Sequence, residues 1–127
     1  MKSTKKILIV EDDTILLSTL ADNFAQAGFE VAKAKNGEEG LKMVKERDVD
    51  LVLLDLMLPK MPGEQLLKEM YESGLIKKIP VIVLTAKGNE ANIKNCMEQW
   101  GAADYLIKSE WSINDVIAKV KKTLGLK

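Results

Sequence analysis

The sequence predicts an α/β fold: a doubly wound, five-stranded parallel sheet of order 2-1-3-4-5, with five helices over its two faces. Three observations carry that reading. Short apolar runs alternate with amphipathic segments along the 127 residues, the pattern of successive strand–helix units joined by right-handed crossovers. Several runs ("ILIV", "LVLL", "VIVL") are apolar throughout, as strands covered on both faces require. Carboxylates, a hydroxyl and an ammonium then recur just past the ends of those runs, the edge at which doubly wound sheets bind ligands.

The elements follow in order. Ile7–Val10 reads as the first strand, and Thr14 to Ala27 as a helix with Leu17, Leu20, Ala21 and Phe24 at helical spacing and Gly28 as its stop. Glu30–Ala34 alternates, as a half-buried edge-side strand does. Asn36-Gly37 opens a second helix to about Glu46, with Leu41 and Val44 inward. Leu51–Asp55 is the second wholly apolar strand, and after "LMLPKMPG" a helix from about Glu64 to Ser73 buries Leu66, Leu67 and Met70. Pro80–Thr85 is β-branched, with its proline tolerated at the first strand position. Asn89 to Trp100 places Ile93, Cys96, Met97 and Trp100 on one face of a fourth helix. Asp104–Ile107 is the last strand. Ser112 and Asp115 resemble a capping box ahead of a stripe of Ile113, Val116, Ile117, Val120 and Leu124.

The totals bound the function. One domain, 1–127, is expected. Lys plus Arg and Asp plus Glu are equal at 19 each, so no net field draws the chain to nucleic acid or an anionic membrane. No apolar run is long enough to span a bilayer. The charged start, Met1–Lys6, leads into only Ile7–Val10, too short for a signal peptide. The single cysteine, Cys96, cannot form an internal disulfide, which suits a reducing cytoplasm. There is no histidine, which removes Ser-His-Asp and Cys-His catalysis, His-ligated zinc and any internal phosphohistidine.

In the 2-1-3-4-5 order, residues distant in sequence converge at one edge: Glu11, Asp12 and Asp13 after the first strand, Asp55 after the third, Thr85 ending the fourth, Lys108 after the fifth. Oxygen donors without histidine or cysteine are the chemistry of a hard cation such as Mg²⁺. Glu11, Asp12 and Asp55 against Lys108 leave a net charge of −2, which a divalent ion neutralises. Each residue has an ordinary reading when taken alone. Acids after a strand often cap a helix, and for Asp13 that role is preferred. Their joint placement on four strand ends carries the functional reading.

These residues bring the chain to a family. "ILIVEDD", "NGEEGL", "LVLLDLMLPKMPG", "VIVLTAK" and "GAADYLIK" resemble, over essentially the whole chain, the receiver domain of two-component response regulators, the chemotaxis-type signalling domains of flavodoxin-like fold. The resemblance implies that Asp55 is the phosphoacceptor and that Mg²⁺ is held by Asp12, Asp55, the Met57 carbonyl and, through water, Glu11. It implies that Thr85 and Lys108 contact the phosphoryl group and that Thr85 and Tyr105 form the switch, Tyr105 turning inward on activation. Ala86 leaves room for the incoming group. Met57 and Lys87 lie where the family tunes phosphoryl lifetime.

The expected function is a phosphorylation-controlled switch rather than an enzyme acting on external substrates. It promotes its own phosphorylation and dephosphorylation and changes its fourth-helix, fifth-strand and fifth-helix surface. The expected partners are a sensor histidine kinase or phosphotransfer protein and a downstream protein target, without direct nucleic-acid or membrane contact. The expected state is a cytoplasmic monomer or a weak phosphorylation-dependent dimer. Competing readings are a phosphorylation-independent pseudo-receiver and a Mg²⁺-dependent aspartyl phosphatase of the haloacid-dehalogenase type. The phosphatase lacks its second Asp, because Met57 stands there. Acids line the first loop, which argues against bound FMN. The sequence departs from the family at Ser109, where proline usually follows the site lysine. A cis bond before serine costs about 2.5–4 kcal/mol, so Lys108–Ser109 is either trans in a reshaped loop, the reading preferred, or cis and strained. Trp111 in that loop is either an exposed recognition residue or a packed aromatic.

Overall fold

A computed structural model describes residues 4–46 and 48–126. Met1–Ser3, Arg47 and Lys127, parts of the expected single domain, lie outside the described residues. Five strands, β1 (Lys6–Val10), β2 (Glu30–Ala34), β3 (Leu51–Leu54), β4 (Val81–Thr85) and β5 (Asp104–Ile107), form one sheet of order β2-β1-β3-β4-β5. All four pairings are parallel, in registers such as Ile7↔Leu51, Leu54↔Val83 and Thr85↔Ile107. The predicted topology is the observed one.

The wholly apolar strands are explained by two cores. Successive side chains of a strand point to opposite faces. Leu8 and Val10 of β1 join Val52, Leu54, Val81 and Val83 on one face, beneath α2 (Gly37–Glu46) and α3 (Gly63–Glu72). Ile7 and Ile9 join Leu51, Leu53, Ile82 and Leu84 on the other, beneath α1 (Thr14–Gln26) and α5 (Ile113–Thr123). Phe24 of α1, Leu66, Leu67 and Met70 of α3 and Val120 of α5 are fully buried. Leu41 of α2 is partly buried, where the spacing placed it inward.

The caps explain where the helices begin. Asp13 Oδ1 accepts from the Ile15 and Leu16 N–H groups at 3.0 and 3.1 Å, so Asp13 is the N-cap of α1, as its position after the strand implies. Asn36 Oδ1 accepts from Glu39 N–H at 2.9 Å at the start of α2. Ser112 Oγ accepts from Asp115 N–H at 3.1 Å ahead of α5.

The fourth helix differs from the expected regular one. Only Glu90–Lys94 (α4) is α-helical, and Asn95–Gln99 continues as a π turn in which Trp100 N–H donates to the Asn95 carbonyl at 3.1 Å. The wider turn keeps Cys96 fully buried and Met97 and Trp100 at the core margin, while Ile93 stays outside both cores. All described peptide bonds are trans, Lys108–Ser109 included, and Lys108–Glu110 forms a 3₁₀ turn. Trp111 is packed: it is half-buried against the α1/α5 core, and Lys119 Nζ lies 5.7 Å from its ring centroid.

Candidate functional site

The ends of β1 and β3 are adjacent, so the acids that follow them meet. Asp55 N–H donates to the Val10 carbonyl at 3.0 Å and Glu11 N–H to the Ala34 carbonyl at 2.9 Å, carrying the sheet ladder one residue past each strand. Carboxylate oxygens of Glu11, Asp12 and Asp55 all lie within 4.8 Å of one another. Glu11 and Asp55 are only 2% and 4% exposed, whereas Asp12 faces solvent.

Two buried carboxylates that close repel unless something pairs with them. Lys108 does so for both, its Nζ lying 2.7 Å from Glu11 Oε1 and 3.1 Å from Asp55 Oδ2. The remaining oxygens accept main-chain donors: Asp13 N–H to Glu11 Oε2 at 3.0 Å and Met57 N–H to Asp55 Oδ1 at 3.2 Å. Burial pushes the Glu11 carboxyl above the usual range, aided by the Asp55 charge and opposed by the hydrogen bonds from Lys108 and Asp13. Burial alone would lower the Lys108 ammonium; its bond to Glu11 and the Asp55 charge outweigh that and raise it. The lysine is therefore firmly charged.

The loop after β3 is shaped by glycine. A Cβ on Gly63 would overlap the Asp55 carbonyl oxygen, and one on Gly37 would overlap the Met61 carbonyl oxygen. Only a residue without a side chain lets the start of α3 lie that close to the backbone that carries Asp55. Gly63 N–H closes the loop onto the Leu56 carbonyl at 3.0 Å. Lys60 in the same loop has φ +67°, the sole positive φ among described non-glycine residues.

On the other side, Thr85 is fully buried at the end of β4 and its Oγ1 accepts from Lys87 N–H at 3.4 Å. The Tyr105 hydroxyl of β5 donates to the Lys87 carbonyl at 2.6 Å. Burial, with the nearby Cys96, Glu64 and Asp55, pushes the Tyr105 phenol up to about 12. Ala86 between them is exposed.

Every sequence-predicted site residue thus lies at this edge of the sheet. Glu11, Asp12, Asp55 and Lys108 form one cluster; Thr85 and Tyr105 are linked through Lys87; Asp13 turns to the helix. Met57 stands in the loop with its N–H on Asp55 and its side chain 53% exposed. Sequence reasoning missed the Lys108–Glu11 pair, the Lys87–Glu64 pair at 2.9 Å and the role of Gly63. The proline-glycine pair at the start of α3 was the one available signal, for Gly63 alone.

The response regulator receiver domain family matches residues 7–121. This chain belongs to that family. The receiver is 38% identical over 120 residues to the alkaline phosphatase synthesis transcriptional regulatory protein PhoP of Bacillus subtilis, covering 94% of this chain and 48% of that protein. It is 37% identical over 121 residues to the transcriptional regulatory protein SrrA of Staphylococcus aureus, covering 95% and 48%. The chain spans about half the length of these curated relatives. Among solved structures it superposes on a CheY-like receiver domain protein of Methanospirillum hungatei with a TM-score of 0.88, at 31% identity over 97% of this chain and 95% of that one. It superposes on the response regulator TrrA of Thermotoga maritima, solved in complex with Mg²⁺-BeF, with a TM-score of 0.81, at 30% identity over 94% and 98%. The flavodoxin-like fold is that of these neighbours. Receivers are regulatory phosphoacceptor domains of two-component response regulators rather than enzymes that turn over a substrate. The acidic cluster of this one is an all-oxygen set able to bind a metal and fitting Mg²⁺. No described helix is long and apolar enough to cross a membrane.

Proposed function

We propose that the receiver is a switch in which Asp55 accepts a phosphoryl group from a phosphohistidine on a partner protein. The observation that carries this reading is Asp55 itself, a buried carboxylate held on both oxygens by Lys108 and the Met57 N–H, beside two further acids. Asp12, Asp55 and the Met57 carbonyl would hold Mg²⁺, with Glu11 acting through water. The donor set fits, being oxygen throughout and over-negative by the charge of one divalent ion. When bound, Mg²⁺ offsets repulsion between the carboxylate and the phosphoryl oxygens.

The residues of the chain supply the rest. An Asp55 oxygen forms the new O–P bond as the N–P bond of phosphohistidine breaks and the imidazole leaves with its electron pair. The Lys108 ammonium, already 3.1 Å from Asp55 Oδ2, stabilises charge spread over the phosphoryl oxygens. The Met57 N–H orients the acceptor carboxylate. The product adds negative charge and acceptor oxygens on Asp55, and Thr85 Oγ1 moves to meet them. That motion draws on Lys87, and through its carbonyl on Tyr105, so the face of α4, β5 and α5 repacks as a population shift. Water then attacks the phosphorus, the Asp55 O–P bond breaks and inorganic phosphate leaves, so the site regains its starting charge with the same groups in place; this is how the receiver promotes its own dephosphorylation.

The donor is a sensor histidine kinase or phosphotransfer protein, and exposed Ile15 (80%) and Met57 (53%) offer it apolar surface within two residues of Asp13 and Asp55. The downstream target is a protein that reads the α4–β5–α5 face. The receiver acts in the cytoplasm, monomeric or weakly dimeric when phosphorylated.

Intact mass after treatment with acetyl phosphate tests the reading. One phosphoryl group per chain is expected with Mg²⁺, far less without it, and none in Asp55→Ala. Asp12→Ala should weaken Mg²⁺ affinity at least about tenfold, the effect of losing about 1.4 kcal/mol. Full labelling of Asp55→Ala would overturn the acceptor assignment.

A further inference from the structure

Three contacts converge on Lys87, each from a different part of the fold. Its N–H donates to Thr85 Oγ1 at 3.4 Å, and its carbonyl accepts from the Tyr105 hydroxyl at 2.6 Å. Its ammonium pairs with Glu64 Oε2 at 2.9 Å, in the first turn of α3. The first two contacts are main-chain and belong to β4 and β5. The third alone ties the β4–α4 loop to α3.

The exposure of the pair decides its role. The Lys87 and Glu64 side chains are 38% and 24% exposed, and a pair this open to water adds little to stability. Its placement is what distinguishes it. Gly63, the preceding residue, packs on the Asp55 carbonyl, so α3 meets the acceptor loop at one residue and the Lys87 loop at the next. Gly88, following Lys87, runs against the Ile107 side chain of β5. The charges of both members of the pair also act on the buried Cys96 thiol of the π turn. Burial is the larger effect there, with Glu64 adding to it and Lys87 opposing it. The loop is thus held between α3 and β5, and Glu64 is its charged anchor.

We propose that Glu64 is a positioning residue: by holding the Lys87 ammonium it sets the place of the β4–α4 loop and, through the Lys87 main chain, of the Thr85 hydroxyl and the Tyr105 ring. This rests on the reading of Thr85 and Tyr105 as switch residues given above. Loss of the pair frees the loop to carry the Lys87 carbonyl away from the Tyr105 hydroxyl, so the population with a docked Tyr105 falls. The ordinary alternative is an acid that merely steadies the first turn of α3 through the helix dipole.

Fluorine NMR of the fluorotyrosine-labelled chain separates the two. The sequence holds two tyrosines, and Tyr71, 50% exposed, is the internal reference for Tyr105. The variants are Glu64→Gln, Lys87→Gln and the exchange Glu64→Lys with Lys87→Glu. Substitution at Lys87 leaves its N–H and carbonyl in place. Each single variant should move the Tyr105 resonance by a similar amount toward that of Tyr71, with a melting midpoint within about 4 °C of the parent. The exchange should return more than half of that shift, although a lysine in the first turn opposes the α3 dipole. A Tyr105 resonance unmoved in the singles, or moved as far in the exchange as in the singles, overturns the proposal. Phosphoryl uptake by the parent is measured separately by mass. Its absence would overturn Asp55 as acceptor, while the positioning by Glu64 is judged on the resonance alone.

Discussion

On the β1–β3 side of the sheet the acids follow buried runs, Ile7–Val10 and Leu51–Leu54, their backbone continues the ladder, and α1 and α3 beside them are regular helices of 13 and 10 residues. On the β4–β5 side, a five-residue α4 passes into a π turn, β5 is half-buried, and the loop between them is held by side chains. The first side holds charge in fixed geometry, which a phosphoacceptor and a metal site need. On the second, α4 and its π turn bury Cys96 alone among their described residues, which makes rearrangement of that segment inexpensive. The two sides of one sheet thus differ in how firmly the helices beside them are packed.

The sharpest way to break that contrast is by core truncation. Phe24→Ala on α1, fully buried, should lower the unfolding free energy by about 3–5 kcal/mol. Ile93→Ala on α4, outside both cores, should cost within about 0.5 kcal/mol, both read from urea denaturation. Equal costs would mean that α4 is as firmly packed as α1. Next in size is Gly63→Ala. The added methyl overlaps the Asp55 carbonyl, so about 1–3 kcal/mol of overpacking is expected. Slower phosphoryl uptake from acetyl phosphate should accompany it. Gly63→Ala labelled at the parental rate would show that the acceptor loop shifts without consequence.

The smallest effect is in the response to alkaline pH, and it falls on the second side. Burial, with Glu64, lifts the Cys96 thiol from 9.0 to about 11, and the Tyr105 phenol is lifted from 10.0 to about 12. Both are neutral acids whose folded values are raised, so the stability they contribute is complete below pH 9 and is lost as pH rises toward 11 and then 12. Cys96→Ala should flatten the fall between pH 9 and 11 while leaving the later part, as seen by denaturation at successive pH values. An unchanged slope would place the thiol outside the core.

Much of this was legible in the sequence because one physical cause dominated each feature. The apolar runs located β1, β3 and β4 to within a residue, since burial on both faces leaves no other composition. The acids and Lys108 were legible from topology, because strand ends in a 2-1-3-4-5 sheet share one edge. The π turn was not legible. Ile93, Cys96, Met97 and Trp100 satisfy an α-helical spacing, and the wider turn answers to packing against the sheet. The Lys108–Glu11 and Lys87–Glu64 pairs were equally hidden, because charges distant in sequence carry no periodicity. Trp111 could be read as surface or core until Lys119 and the α5 core were placed beside it.

Lys108 follows β5, yet it grips groups that follow β3 and β1, passing over β4 on the way. Three strand spacings, about 14 Å of sheet, are spanned by the Lys108 side chain together with the carboxylates that reach out to meet it. In mechanical terms it is a removable tie across the end of a twisted plate. Whatever loosens Lys108 therefore slackens the fastening of β5 to β3 and to β1 at once.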